Sequence, residues 1–168
     1  MKNLLIALFL VFAPMFAYSQ TKDVIDIAIG SPDHTTLVAA VKAADLVTTL
    51  KSAGPFTVFA PTNAAFAKLP EGTVATLLKP ENKAQLAKIL TYHVVSGNLD
   101  ANAVIAAIKA GNGTASVTTV SGGKLSVKLS SGKVVITDEN GGMATVVAAD
   151  LKGSNGVVHV IDSVVLPK

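Results

Sequence analysis

The chain predicts an α+β domain, and two observations carry that prediction. Apolar residues recur at helical spacing through the first two thirds of the chain, then switch to strict alternation near residue 117. Glycine pairs and Asn-Gly steps punctuate the alternating part at hairpin intervals. Helices first and strands last is the element order of an α+β fold.

The elements follow in order. Val24, Ile25 and Ala28 share one face of a short helix from Asp23 to Ile29, which Gly30 can end. Ser31-Pro32-Asp33 restarts a helix that buries Leu37, Val41 and Ala44, and Leu46, Val47 and Leu50 continue as a third, closed by Ala53-Gly54. The segment GPFTVFAPTNAAF, residues 54–66, is then the hinge of the chain. Phe56 to Phe59 reads as a strand, Pro61 stops it for want of an N–H, and Thr62-Asn63 caps a helix starting at Ala64 with Phe66 turned inward. Glu71–Leu78 and Glu81–Leu90 read as two helices parted by Lys79-Pro80. Thr91 to Val95 is predicted as a strand, with Tyr92 and His93 on opposite faces. Asp100 caps a helix reaching Lys109.

Strands are expected at Val117–Val120, at Leu125, Val127 and Leu129 alternating with Lys124, Ser126 and Lys128, at Val134–Thr137 and at Ala144–Ala149. Val157–Leu166 is apolar on both alternating faces, which places it inside the sheet rather than at an edge.

Residues 1–19 have the pattern of a secretory signal peptide: Lys2, an apolar run from Leu4 to Phe12, and Ala17-Tyr18-Ser19 as a small-x-small site, with cleavage expected after Ser19. The run is broken by Pro14 and is shorter than the roughly 20 residues of a membrane span. Residues 20–168 are expected to form a single domain with no membrane insertion. With no Cys, neither a disulfide nor a lipid-attachment cysteine is available. All 14 basic residues are Lys, spread along the sequence, so no clustered basic face for nucleic acid is visible.

Three histidines limit the candidate chemistry. His34 stands in a polar run and reads as solvated. His93 and His159 could act as a metal pair or proton-transfer pair, but no third ligand has a recognisable spacing. They read instead as core histidines, with Thr57, Asn63 and Asp162 as the expected polar partners. No serine occupies a G-x-S-x-G elbow, no glycine run forms a phosphate loop, and Asp138-Glu139 reads as a solvated turn. No catalytic residue, metal or cofactor is expected. Asn112-Gly113-Thr114 fits a glycosylation acceptor and equally an ordinary turn.

Residues 54–66, the Tyr92-His93 pair in LTYHVVSG, and NGVVHVID at Asn155–Asp162 resemble, in order and spacing, the motifs of the fasciclin (FAS1) domain family. The resemblance runs from about Asp23 to Pro167. It implies a wedge of two β-sheets packed against a layer of short helices, with Thr57, Pro61, Thr62, Asn63, Phe66, Asn155, Gly156, His159 and Asp162 as the structural signature. It also implies a secreted or periplasmic, non-catalytic binding or adhesion module of bacterial source, whose partner is a cell-surface protein, a matrix protein or a polysaccharide. An extracytoplasmic carrier of a small ligand or polysaccharide is the alternative. Animal members use a Tyr-His and an Asp-Ile motif for integrin recognition. Tyr92 and His93 match the first; Asp150 matches the second, with Leu151 in place of isoleucine and Ala148-Ala149 in place of the acidic residue and proline before it. Those four residues are the candidate partner contacts.

Overall fold

The computed structural model describes residues 21–168; the expected signal peptide and its cleavage site lie outside them. Three short helices, α1 (Val24–Ile29), α2 (Thr35–Ala43) and α3 (Val47–Lys51), precede strand β1 (Phe56–Pro61). Then come α4 (Asn63–Ala67), α5 (Thr73–Leu77), α6 (Lys83–Tyr92), β2 (Val94–Ser96) and α7 (Ala101–Ala110). The chain ends in β3 (Thr114–Thr118), β4 (Lys124–Ser130), β5 (Lys133–Thr137), β6 (Met143–Gly153) and β7 (Gly156–Ile161).

The strands form one continuous mixed sheet in the order β2-β1-β7-β6-β5-β4-β3. This corrects the expected wedge of two sheets. The reason is β6, whose 11 residues serve both halves: Met143, Ala144 and Thr145 pair with β5, while Val146 to Gly153 pair with β7 across two register shifts. Those bulges bend the strand enough to curl the sheet. A single bridge between Val95 and Thr119, with Val120 N–H donating to the Val94 carbonyl at 2.8 Å, brings the first and last strands together and nearly closes it.

β1 and β7 run parallel in the middle, in register from Phe56–Gly156 to Pro61–Ile161. Pro61 is thus the last residue of β1 rather than a stop beyond Phe59; as a terminal strand residue it owes no N–H to the ladder. Gly156 is required at the start, because a Cβ there would lie 2.0 Å from the Phe56 carbonyl oxygen.

Two apolar cores lie on opposite faces of this central pair. On one, Val24, Leu37, Val41, Leu50, Phe66, Leu86 and Leu90 from the helices meet Ala60 and Val158. On the other, inside the curl, Phe59 and Ile161 meet Val104 and Ile108 of α7 and Leu125, Val127, Ile136 and Ala144 of the later strands. Alternate residues of β1 and β7 face opposite cores, which is why both faces of these strands are apolar. β7 is buried at every position, as its sequence predicts, but ends at Ile161; residues 162–168 continue outside the ladder with Val165 fully buried.

Candidate functional site

Tyr92 and His93 are not on a strand. Tyr92 is the last residue of α6 and His93 its C-cap, and the Thr91 hydroxyl donates back to the Ala87 carbonyl at 2.7 Å within the last turn. Both side chains are buried, at 0% and 2% exposure. The Tyr92 hydroxyl donates to the Lys124 carbonyl (2.8 Å) and accepts from the Glu139 N–H (3.2 Å), joining α6 to the turns before β4 and after β5. Burial raises its pKa, and the Glu139 and Asp138 carboxylates act in the same direction. Its ring also explains Gly123, where a Cβ would come within 2.5 Å of Cε2.

His93 Nε2 accepts from the Val165 N–H (3.2 Å), so Nδ1 carries the proton and donates to the Ile89 carbonyl (2.9 Å). Complete burial disfavours the charged form and lowers its pKa to about 4. His93 therefore ties the C-terminal segment to the end of α6.

His159 has the reverse arrangement. Its Nδ1 accepts from the Asp150 N–H (3.3 Å), and Nε2 donates to the Leu99 carbonyl (2.7 Å). Its ring stacks on Phe59, centroids 5.7 Å apart. Asp150 sits at the β6 bulge with φ 60, and its Oδ1 accepts from the Ala101 N–H (2.7 Å) at the start of α7. Thr57 completes the network: its hydroxyl donates to the Gly97 carbonyl (2.7 Å) and accepts from the Leu99 N–H (2.8 Å). The loop from β2 to α7 is thereby fixed to three strands.

None of Thr57, Asn63 and Asp162 pairs with a histidine, contrary to expectation; backbone groups lie closer to each ring. The Asn63 amide instead accepts from the Thr36 N–H (3.0 Å) and donates to the Pro32 carbonyl (3.0 Å), while Thr62 takes the cap of α4 through the Ala65 N–H (3.2 Å). Phe66 packs inward from that helix. Asn155 accepts from the Val24 N–H (3.0 Å) and donates to the Leu50 carbonyl (2.7 Å), and Asp162 accepts from the Thr145 N–H (2.8 Å).

Two further expectations are corrected. His34 is buried at 4% exposure, not solvated, because Pro32 starts a 3-10 turn that folds the ring inward onto the Ser31 hydroxyl (2.8 Å); burial lowers its pKa. Asp138 is likewise buried. Its Oδ1 accepts from the Asn140 (2.9 Å) and Gly142 (2.7 Å) N–H groups and its Oδ2 from Leu166 (2.9 Å), while the Asn140 amide donates to the Leu166 carbonyl (2.9 Å). The Asp-x-Asn-Gly-Gly order, which favours an Asp side chain folding onto its own turn, was the signal for it.

Both ring nitrogens of His93 and His159 are thus taken by backbone groups, leaving no lone pair for a metal and no base for proton transfer. Among the described residues no group of three metal-ligating side chains forms. The apolar cavity between α1, α2, α3 and the central strands holds about 30 Å³, room for about one water molecule. An open groove of about 430 Å³ with a mixed polar and apolar lining lies at the start of β7, formed by Gly54, Pro55, Asn98, Lys152, Asn155 and Val157. Of the four candidate contacts, Leu151 is exposed (38%), Asp150 is half-buried, and Tyr92 and His93 offer no surface. Val147, at 57% exposure, lies four residues before Leu151 on β6.

A short helical layer covers one face of the parallel β1–β7 pair, and the curled sheet with α7 packed on it covers the other. The Fasciclin domain pattern matches residues 32–167, and the chain belongs to that family, whose secreted and cell-surface members are of adhesion type and generally non-catalytic. It is 52% identical over 151 residues to protein sll1483 of Synechocystis, covering 90% of this chain and 77% of that one. It is 36% identical to the immunogenic protein MPB70 of Mycobacterium bovis, covering 92% and 74%. A FAS1 domain pair from the insect cell adhesion molecule fasciclin I superposes with a TM-score of 0.60 at 27% identity, covering 77% of this chain and 43% of that one.

Proposed function

We propose that this chain is a secreted or periplasmic, non-catalytic binding module that holds a cell-surface protein, a matrix protein or a polysaccharide through the β6 bulge. The observation that carries this reading is a hydrogen-bonded Asp150 followed directly by exposed Leu151, with exposed Val147 three residues before Asp150 on the same strand. Exposed apolar side chains next to a fixed carboxylate suit a partner with one apolar and one donor group. In this reading residues 1–19 are removed and residues 20–168 act as one domain without cofactor. No helix among the described residues is long and apolar enough to cross a membrane.

Saturable binding of residues 20–168 to one class in a panel of cells, matrix proteins and polysaccharides is the expected result. Leu151→Ser and Val147→Ser should each weaken it at least about 5-fold without unfolding the domain. Binding unchanged in both variants would refute this use of β6. The groove at Gly54, Asn98 and Asn155 favours a polysaccharide over a small apolar ligand as the alternative cargo, since it is open and holds about 430 Å³ while the apolar cavity holds only about 30 Å³.

A further inference from the structure

The lysines look dispersed in the sequence, but the strand register gathers several of them. Residues 101–137 contain four lysines and no Asp or Glu, whereas the rest of the described chain carries nine lysines against eleven acids. The positive charge of the domain therefore comes from this one stretch. Three of the four lie in the β4–β5 hairpin: Lys124 and Lys128 on β4, and Lys133 on β5.

On β4 the inward positions are Leu125 and Val127, both buried, so Lys124, Ser126 and Lys128 project outward. Lys128 pairs with Val135 and Ser130 with Lys133, which sets Lys128 and Lys133 diagonally, roughly 7 to 8 Å apart. Lys124 stands four residues along the strand from Lys128, about 13 Å away. Between and beside them the register places hydroxyls: Thr114 opposite Lys128, Ser116 opposite Ser126, and Thr118 opposite Lys124 on β3, with Thr137 opposite Ser126 on β5. Each of the three lysines is exposed, and the ion pairs among the described residues involve only Lys51, Lys68, Lys79 and Lys83. One carboxylate approaches the end of the face: Glu139, which accepts from the Lys124 backbone N–H at 3.0 Å.

We infer that the outward face of β3, β4 and β5 binds an anionic polysaccharide. The inference rests on the binding-module reading and names a partner class for a second surface, separate from the β6 bulge. Lysines spaced roughly 7 to 13 Å apart match repeated carboxylate or sulfate groups along an extended chain, and the intervening Ser and Thr hydroxyls both donate and accept toward sugar hydroxyls. The face carries no aromatic ring on which nucleobases could stack and no Arg fork for phosphate. Among the outward residues of β3, β4 and β5 only Val135, half-buried opposite Lys128, is apolar, too little to enter a lipid surface.

The test is binding of residues 20–168 to immobilised polygalacturonate, with dextran, phosphatidylglycerol vesicles and duplex DNA as the other arms. The wild-type domain should bind polygalacturonate and not dextran, and its affinity should fall about 10-fold or more from about 50 to about 250 mM salt. The triple variant K124Q/K128Q/K133Q should bind at least about 10-fold more weakly. K42Q/K79Q/K83Q, which removes the same charge from the helical side, should stay within about 2-fold of wild type. No binding to polygalacturonate, equal losses in the two triple variants, or tighter binding to vesicles or DNA would each overturn the inference. Lost polygalacturonate binding with retained binding to cells or matrix protein would remove this inference alone and leave the proposed function standing.

Discussion

His93 and His159 share burial, closeness to the central strands and a place in two different sequence motifs, but they carry their protons on opposite nitrogens. His93 donates from Nδ1 within its own helix and accepts on Nε2 from Val165, so it fastens the chain end. His159 donates from Nε2 to Leu99 and accepts on Nδ1 from Asp150, so it fastens the loop entering α7 and the β6 bulge. The contrast teaches that the role of a buried histidine is set by which backbone groups meet its two nitrogens. Neither ring retains a free nitrogen, so a motif that suggests a site is, in this fold, a pair of staples.

That contrast can be broken first at His93. His93→Ala leaves the Val165 N–H and the Ile89 carbonyl without partners and opens a cavity, and should cost about 3 to 4 kcal/mol in chemical denaturation. The pH dependence of stability comes next. The folded pKa of His93 is about 4, below its usual 6.5, so the unfolded chain binds the extra proton between those values. Stability is complete above pH 6.5 and falls as the pH drops toward 4, by on the order of 3 kcal/mol from this group. His34, also held low by burial, adds a loss in the same direction. Urea midpoints from pH 7 to pH 4 should show the slope, and a His93→Gln variant should flatten it.

Smaller effects sharpen the His159 side. Asp150→Ala removes the acceptor for the Ala101 N–H and forces alanine into a left-handed backbone at φ 60, at about 1 to 2 kcal/mol. Asp150→Asn keeps both the acceptor and a residue tolerant of that conformation, and should lie within about 0.5 kcal/mol of wild type. Tyr92→Phe should cost about 1 kcal/mol, because the Lys124 carbonyl and Glu139 N–H lose their shared hydroxyl in a partly accessible turn. Thermal unfolding ranks all three.

Much of this architecture was legible in the sequence. Alternation and Gly-rich turns located the hairpins, and the doubly apolar pattern of Val157–Ile161 placed β7 inside the sheet because both of its faces meet a core. What escaped depended on distant partners. Tyr92-His93 looked like a strand because Thr, Tyr and Val favour one, yet packing onto the turns at Lys124 and Glu139 holds them on a helix. The single sheet escaped because bulges within β6 are invisible to a two-residue period. The polar partners of the histidines escaped because they are main-chain groups of Ile89, Leu99, Asp150 and Val165, which no side-chain pattern reports.

Long-range ¹H–¹⁵N NMR of the imidazole rings at pH 7 decides whether both motif histidines are fold staples rather than chemistry. The hydrogen bonds predict the Nδ1–H tautomer at His93 and the Nε2–H tautomer at His159, and complete burial keeps His93 neutral down to about pH 5. A His93 ring that exchanges between tautomers or charges near pH 6.5 would contradict the staple role.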